Sequence, residues 1–157
     1  VIDKLRTFRP DIAMSGDFIV GFPGETDRDF AKTLQLINHV GYASAYSFKY
    51  SMRPGTPAAN VKNQIPEPVK SDRLESLQQL LNAQRFSFNK NTEGKLVDVL
   101  VERAGGRVGQ MAGRSPYMQA VNFIGEADQI GQIVSCRLSA ARQNSMTGEI
   151  VNLKVAV

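Results

Sequence analysis

Asp17-Phe18-Ile19-Val20-Gly21-Phe22-Pro23-Gly24-Glu25-Thr26 is the stretch whose reading decides the fold. Phe18 to Phe22 is a short, nearly unbroken apolar run, the pattern of a parallel strand covered on both faces. Pro23-Gly24 turns the chain sharply, and the Thr26 hydroxyl suits the cap of a helix whose first turn carries Asp27 and Asp29. Phe30, Leu34, Ile37 and Val40 then share one helical face, and Gly41 is a natural stop. A second strand, about Ala45 to Tyr50, runs into another bend, Ser51-Met52-Arg53-Pro54-Gly55-Thr56-Pro57. This is β-α-β, with a right-handed crossover expected. Both bends would fall at the carboxyl-terminal face of a parallel sheet or barrel, where α/β folds bind small molecules.

Outward from this unit, Ile2, Leu5 and Phe8 suggest a helix end stopped by Pro10. Four prolines within residues 52–68 predict a long loop. A long helix is expected from about Pro68 to Glu93, with Leu74, Leu77, Leu81, Gln84 and Phe88 facing inward and Gly94 ending it. From Lys95 the pattern becomes strand-like. Lys95–Arg103, Gln119–Ile124, Gln132–Leu138 and Glu149–Val157 alternate or run apolar, with a fifth strand expected around Val108–Arg114. About five strands with glycine corners predict a small OB-like antiparallel barrel. The domain boundary is placed at Gly94, giving residues 1–93 and 94–157.

Composition narrows the classes. With 157 residues, 42% hydrophobic and 22% charged, the chain has the make-up of a folded protein with one or two cores. No apolar run reaches the roughly 18 residues of a membrane span. Val1-Ile2-Asp3-Lys4-Leu5-Arg6 is no signal peptide, and the opening without Met, in mid-helix pattern, suggests part of a longer protein. The single Cys136 excludes an internal disulfide, and its apolar strand marks it as buried filler. His39 lies at a helix end with no second ligand at metal spacing, so no metal site is expected. The net charge of +4 is split evenly: residues 1–93 and 94–157 each carry +2. Charge therefore does not single out one part as a nucleic-acid binder.

The candidate residues each have two readings. Gly21 lets backbone approach a ligand, or serves a tight strand-to-helix connection. Its segment is no phosphate P-loop, since it lacks the lysine and the glycine spacing. Arg53 presents a guanidinium to a carboxylate or phosphate, or is a surface arginine beside a stiff turn. Tyr46, Phe48 and Tyr50 alternate along one strand and either fill a barrel or stack on an adenine. In the small barrel, Arg107, Gly113-Arg114-Ser115 and Phe123 combine basic and aromatic groups for RNA, or make a solvated surface with Phe123 in the core.

With these segments in place, the chain resembles the carboxyl-terminal half of the radical S-adenosylmethionine methylthiotransferases over essentially all of its length. Asp17–Thr26 resembles the family's fifth barrel strand and the turn that helps hold S-adenosylmethionine. Tyr50-Ser51-Met52-Arg53-Pro54-Gly55-Thr56-Pro57-Ala58-Ala59 resembles its sixth-strand signature, and residues 94–157 resemble its RNA-binding TRAM domain. The implied fold is α/β, a partial radical SAM β/α barrel, followed by the small all-β TRAM barrel. Implied cofactor contacts are Asp17, Ile19, Gly21, Tyr50, Ser51 and Arg53; implied RNA contacts are Lys95, Arg107, Arg114 and Phe123. Arg53-Pro54-Gly55-Thr56, with Asn122-Phe123, is similar to the MiaB-type branch, which methylthiolates an isopentenylated adenosine beside the tRNA anticodon. That branch implies a cytoplasmic, monomeric enzyme whose partner is the tRNA anticodon stem-loop.

One departure matters. The family's Cys-x3-Cys-x2-Cys motif and three further cysteines, which hold two 4Fe-4S clusters, have no counterpart here, and Cys136 matches none of them. The cluster ligands are therefore expected upstream of Val1, with no catalytic residue and no metal ligand in this chain. Two other readings stay open: a methylthiotransferase acting on a ribosomal protein, and a noncatalytic RNA-binding module.

Overall fold

The computed structural model describes residues 1–151, which form two compact units, Val1–Gln84 and Arg85 onward. In the first, α1 (Ile2–Phe8) precedes β1 (Ser15–Val20), α2 (Asp27–Val40) and β2 (Ser44–Lys49). The two strands pair in parallel, with Ser15 opposite Ser44 and Val20 opposite Lys49, so the expected β-α-β unit is present. Its helix begins with a capping box. The Thr26 side chain accepts from the Asp29 amide at 3.2 Å, and the Asp29 carboxylate accepts from the Thr26 amide at 3.1 Å. The helix ends at Gly41 in the left-handed conformation, and the Arg6 guanidinium donates to the carbonyl of Val40.

Alternation in β1 and β2 sorts the side chains onto two faces. Val20, with Phe18 and Ala45 partly buried beside it, packs against Ile37 of α2 and against Leu77 and Leu81 of α3 (Glu67–Lys90). The opposite face carries Asp17, Ile19, Tyr46 and Phe48, all exposed. These two strands make an open two-stranded sheet, so no barrel closes around that face within the described residues. A short 3-10 turn, Pro57–Asn60, interrupts the proline-rich loop.

The second unit is a closed five-stranded barrel: β3 (Leu96–Ala104), β4 (Gln110–Arg114), β5 (Ala120–Ile124), β6 (Ile133–Ala141) and β7 (Met146–Ile150), in the order β3-β4-β5-β7-β6. Strict alternation on β3 buries Val97, Val99 and Val101 and exposes Leu96, Asp98 and Leu100. Register shifts at Val101/Arg103 and Leu138/Ala140 bend the strands to close so small a barrel.

Three expectations are corrected here. The barrel is not wholly antiparallel. Because β5 and β7 each lie an even number of antiparallel steps from β3, they must run in the same direction, and they pair in parallel at Val121–Met146 and Asn122–Thr147. The last strand is Met146–Ile150, earlier than Glu149–Val157, and residues 152–157 of that expectation lie outside the described residues. Thr147-Gly148 interrupt the apolar pattern and hide the strand from hydropathy, although Met146 is fully buried. Phe123, finally, is 2% exposed and packs with Val97, Met111, Leu138 and Met146. It fills the core, and base stacking by Phe123 is ruled out by burial.

Candidate functional site

At the carboxyl ends of β1 and β2 the two bends enclose an open cleft of about 550 Å³, within the range of small-molecule sites. Its walls are mainly apolar: Ile19 from β1, Phe22 from the first bend, Phe48 from β2 and Tyr50 just beyond it. Lys49, Ser51, Arg53, Thr56 and Ala58 complete the lining. Four of the six residues expected to touch a cofactor, Ile19, Tyr50, Ser51 and Arg53, thus line one space. Asp17 lies on the same strand face as Ile19, one pleat nearer the strand start, and is outside this lining. Phe22 and Phe48 join the lining, whereas Tyr46, also on this face, does not.

The second bend has the geometry its sequence demands. Pro54 and Gly55 occupy its centre, Gly55 has φ 83°, and the Thr56 amide donates to the Arg53 carbonyl at 3.3 Å. Proline followed by a positive φ is the signature of a type II turn. The Thr56 hydroxyl also donates to the Arg53 carbonyl at 2.8 Å, so the backbone of Arg53 is held while its exposed guanidinium has no ion pair among the described residues. The Tyr50 ring meets Phe22 edge-on at 5.2 Å, and its buried hydroxyl has no hydrogen-bond partner among the described residues.

At Gly21 the structure shows the tight strand-to-helix connection, the second of its two readings. Its φ is 70°, and a Cβ there would run into the Lys70 side chain, so glycine is needed for the turn and for the approach of α3. Its amide donates to Glu25 Oε2 at 2.6 Å, and Gly21 stands outside the cleft lining. The same Glu25 oxygen accepts from Arg73 Nη1 at 2.7 Å, and Arg73 Nη2 donates to Asp27 Oδ1 at 2.7 Å. Burial works against the Arg73 charge, but the hydrogen bonds to Asp27 and Glu25 outweigh it and hold its pKa above the ordinary value. Removing one member of such a buried pair costs about 3–5 kcal/mol. Sequence reading missed Arg73, although the signal exists: Arg73, Leu77 and Leu81 recur every four residues, so a charge stands in the core stripe of α3.

In the barrel, the residues expected to touch RNA do not form one cluster. Arg107 sits in the exposed β3–β4 turn, while Arg114 ends β4, roughly 14 Å farther along if each of four steps adds about 3.4 Å. Arg114 is partly neutralised by Glu102 at 3.4 Å and donates to the Met118 carbonyl at 3.3 Å. Lys95 lies near Arg114's end of the barrel, its Nζ 5.7 Å from the Tyr117 ring centre. The loop carrying Tyr117 is fixed by a buried polar network. Gln119 Nε2 donates to Asn89 Oδ1 and Thr92 Oγ1, both at 2.9 Å, and the Ser115 hydroxyl donates to Gln119 Oε1 at 3.1 Å.

The remaining titratable candidates stay local. His39 pairs with Asp3 at 3.3 Å on the surface, and Cys136 is fully buried with its thiol pushed up to about 11 by desolvation. Among the described residues no three His, Cys, Asp or Glu side chains group to hold a metal ion, and no helix is long and apolar enough to cross a membrane.

Comparison with known proteins adds two findings. Residues 90–151 match the TRAM domain. The chain is 53% identical over 150 residues to the tRNA-2-methylthio-N(6)-dimethylallyladenosine synthase of Novosphingobium aromaticivorans, covering 96% of this chain and 34% of that protein. It is 53% identical over 154 residues to the protein of the same description from Maricaulis maris, covering 98% of this chain and 34% of the relative. This chain belongs to the tRNA methylthiotransferase family. It spans about a third of the length of the curated relatives it matches, and corresponds to their carboxyl-terminal part. The TRAM match coincides with the closed barrel and takes in the last residue of α3.

Proposed function

We propose that the chain forms the cofactor wall and the RNA-docking barrel of a radical S-adenosylmethionine enzyme that methylthiolates isopentenylated adenosine next to a tRNA anticodon. The observation that carries this reading is the cleft: two parallel strand ends, apolar and aromatic walls, and one unpaired arginine at the rim. An adenine is a flat apolar body, and Ile19, Phe22 and Phe48 offer it contact area. The amino-acid end of the cofactor carries a carboxylate, which Arg53 can take with two parallel hydrogen bonds. Tyr50 and Ser51 also line the cleft. The residues therefore fit S-adenosylmethionine, which supplies radical chemistry and a methyl group when bound.

They do not fit an iron–sulfur cluster. Each needs a set of thiolates, and the chain has one cysteine, enclosed in the barrel core. Both 4Fe-4S clusters would be held by residues outside this chain, in a monomeric, cytoplasmic protein meeting the tRNA anticodon stem-loop through Lys95, Arg107 and Arg114.

The test uses the full-length protein. Calorimetric binding of S-adenosylhomocysteine, and mass spectrometry of isopentenylated tRNA after turnover, should both respond to Arg53→Lys. Lysine keeps the charge but loses the planar contact, so affinity should fall about tenfold, the equivalent of one charged hydrogen bond. Unchanged affinity in Arg53→Lys would remove this residue from the site, and an absence of methylthio product from the parent would overturn the enzymatic reading.

A further inference from the structure

The bend between β1 and α2 supplies Phe22 to the cleft, yet it is short, rich in proline and glycine, and exposed at Phe22 and Gly24. Within it the Glu25 amide donates to the Phe22 carbonyl at 2.9 Å, the Gly24 amide donates to the Asn63 carbonyl at 2.8 Å, and a buried arginine holds it from α3. Arg73, 7% exposed, reaches 48 residues back from α3 to Glu25, bonding its carboxylate at 2.7 Å and its carbonyl at 3.1 Å with the same nitrogen. Its other nitrogen takes Asp27, and the guanidinium carbon lies 5.6 Å from the Phe30 ring centre. One turn earlier, Lys70 fills the space beneath Gly21 and donates to the Tyr50 carbonyl at 3.4 Å. The Tyr50 amide in turn donates to the Val20 carbonyl at 2.8 Å. A single turn of α3 thus holds both bends.

We propose that Lys70 and Arg73 form a clasp that sets the spacing of the two cleft walls, and that Arg73 is a positioning residue for ligand recognition there. The inference rests on the cleft being the S-adenosylmethionine site. Its physical basis is the sharing of Glu25 Oε2 between Arg73 and the Gly21 amide. Without the guanidinium, a carboxylate that is almost buried loses its counter-charge and gains by turning toward water. That movement releases Gly21, and with it Phe22, whose ring rests edge-on against Tyr50. Both aromatic walls then lose their fixed geometry, and a ligand must pay to order them. Lysine in place of Arg73 keeps the charge but loses the planar fork, and its nitrogen falls about one bond short of the Nη1 position that holds the Glu25 carboxylate and carbonyl.

The experiment compares the full-length parent with Arg73→Lys and Asp27→Asn. Three quantities are read: amide hydrogen exchange over residues 18–30, the Kd for S-adenosylhomocysteine, and the melting temperature. Arg73→Lys should speed exchange at Gly21 and Glu25 by at least about tenfold, and raise the Kd about tenfold, the weight of one charged hydrogen bond. The α2 amides should stay near those of the parent, and the rise in Kd should persist at temperatures where the variant is fully folded. Asp27→Asn removes only the exposed prong and should change the Kd less than about threefold, as for a surface pair. Parent-like exchange and parent-like affinity in Arg73→Lys would overturn the clasp. So would an affinity loss that tracks the melting temperature and is restored by a stabilising osmolyte, because that pattern belongs to global stability. Should the parent not bind S-adenosylhomocysteine while Arg73→Lys still loosens the bend, the cofactor reading falls and the clasp itself stands.

Discussion

Replacing Phe123 by alanine tests whether this aromatic ring belongs to the core or to an RNA surface. The ring sits on β5, 2% exposed, and packs with Val97, Met111, Leu138 and Met146 inside the barrel. Phe→Ala at such a site costs about 3–5 kcal/mol. In a unit of roughly 60–100 residues each kcal/mol shifts the melting temperature by about 4–8 °C. The barrel should therefore lose at least about 12 °C, because about 3–5 kcal/mol is a large part of the roughly 5–15 kcal/mol that keeps a domain folded. Since the chain has two compact units, the barrel transition is best followed through exchange of the β5 amides, with far-UV circular dichroism for the whole chain. Phe123→Leu keeps apolar bulk, should cost less than about 1.5 kcal/mol, and should leave tRNA affinity unchanged. A Phe123→Ala barrel that melts with the parent while binding tRNA more weakly would refute the burial argument.

Further outcomes follow from the same contacts. Gly21→Ala forces a Cβ into Lys70 and strains a φ of 70°, so it should destabilise the first unit by about 1–3 kcal/mol in chemical denaturation. Cys136, with its thiol raised to about 11, should resist iodoacetamide at pH 8 in the native chain and react fully in denaturant. Lys95→Ala and Arg107→Ala should each flatten the salt dependence of tRNA binding by about one unit, while Arg114→Ala, whose charge is shared with Glu102, should flatten it less. Identical slopes for all three and the parent would move the docking surface elsewhere.

How much could be read without coordinates follows from the range of the forces involved. The β-α-β unit was legible because its signals are local: an apolar run, a threonine cap, a helical stripe ending at glycine, and a proline–glycine turn. The same holds for the five barrel strands as a set and for buried Cys136. Periodicity reports which residues are inside, because burial of apolar area dominates folding and repeats at 2 or 3.6 residues. Pairing partners are another matter. The parallel β5–β7 contact and the start of β7 at Met146 come from closure of the barrel, a constraint on all five strands together. Phe123 alternated correctly for either face, and only closure of the barrel, with Phe123 opposite Met111 of β4, turned it inward. The candidate site divides the same way. Residues from both bends were named from the sequence, but that Gly21 and Arg73 share the Glu25 carboxylate depends on a contact 48 residues away, chosen by the packing of one charged side chain in a leucine stripe.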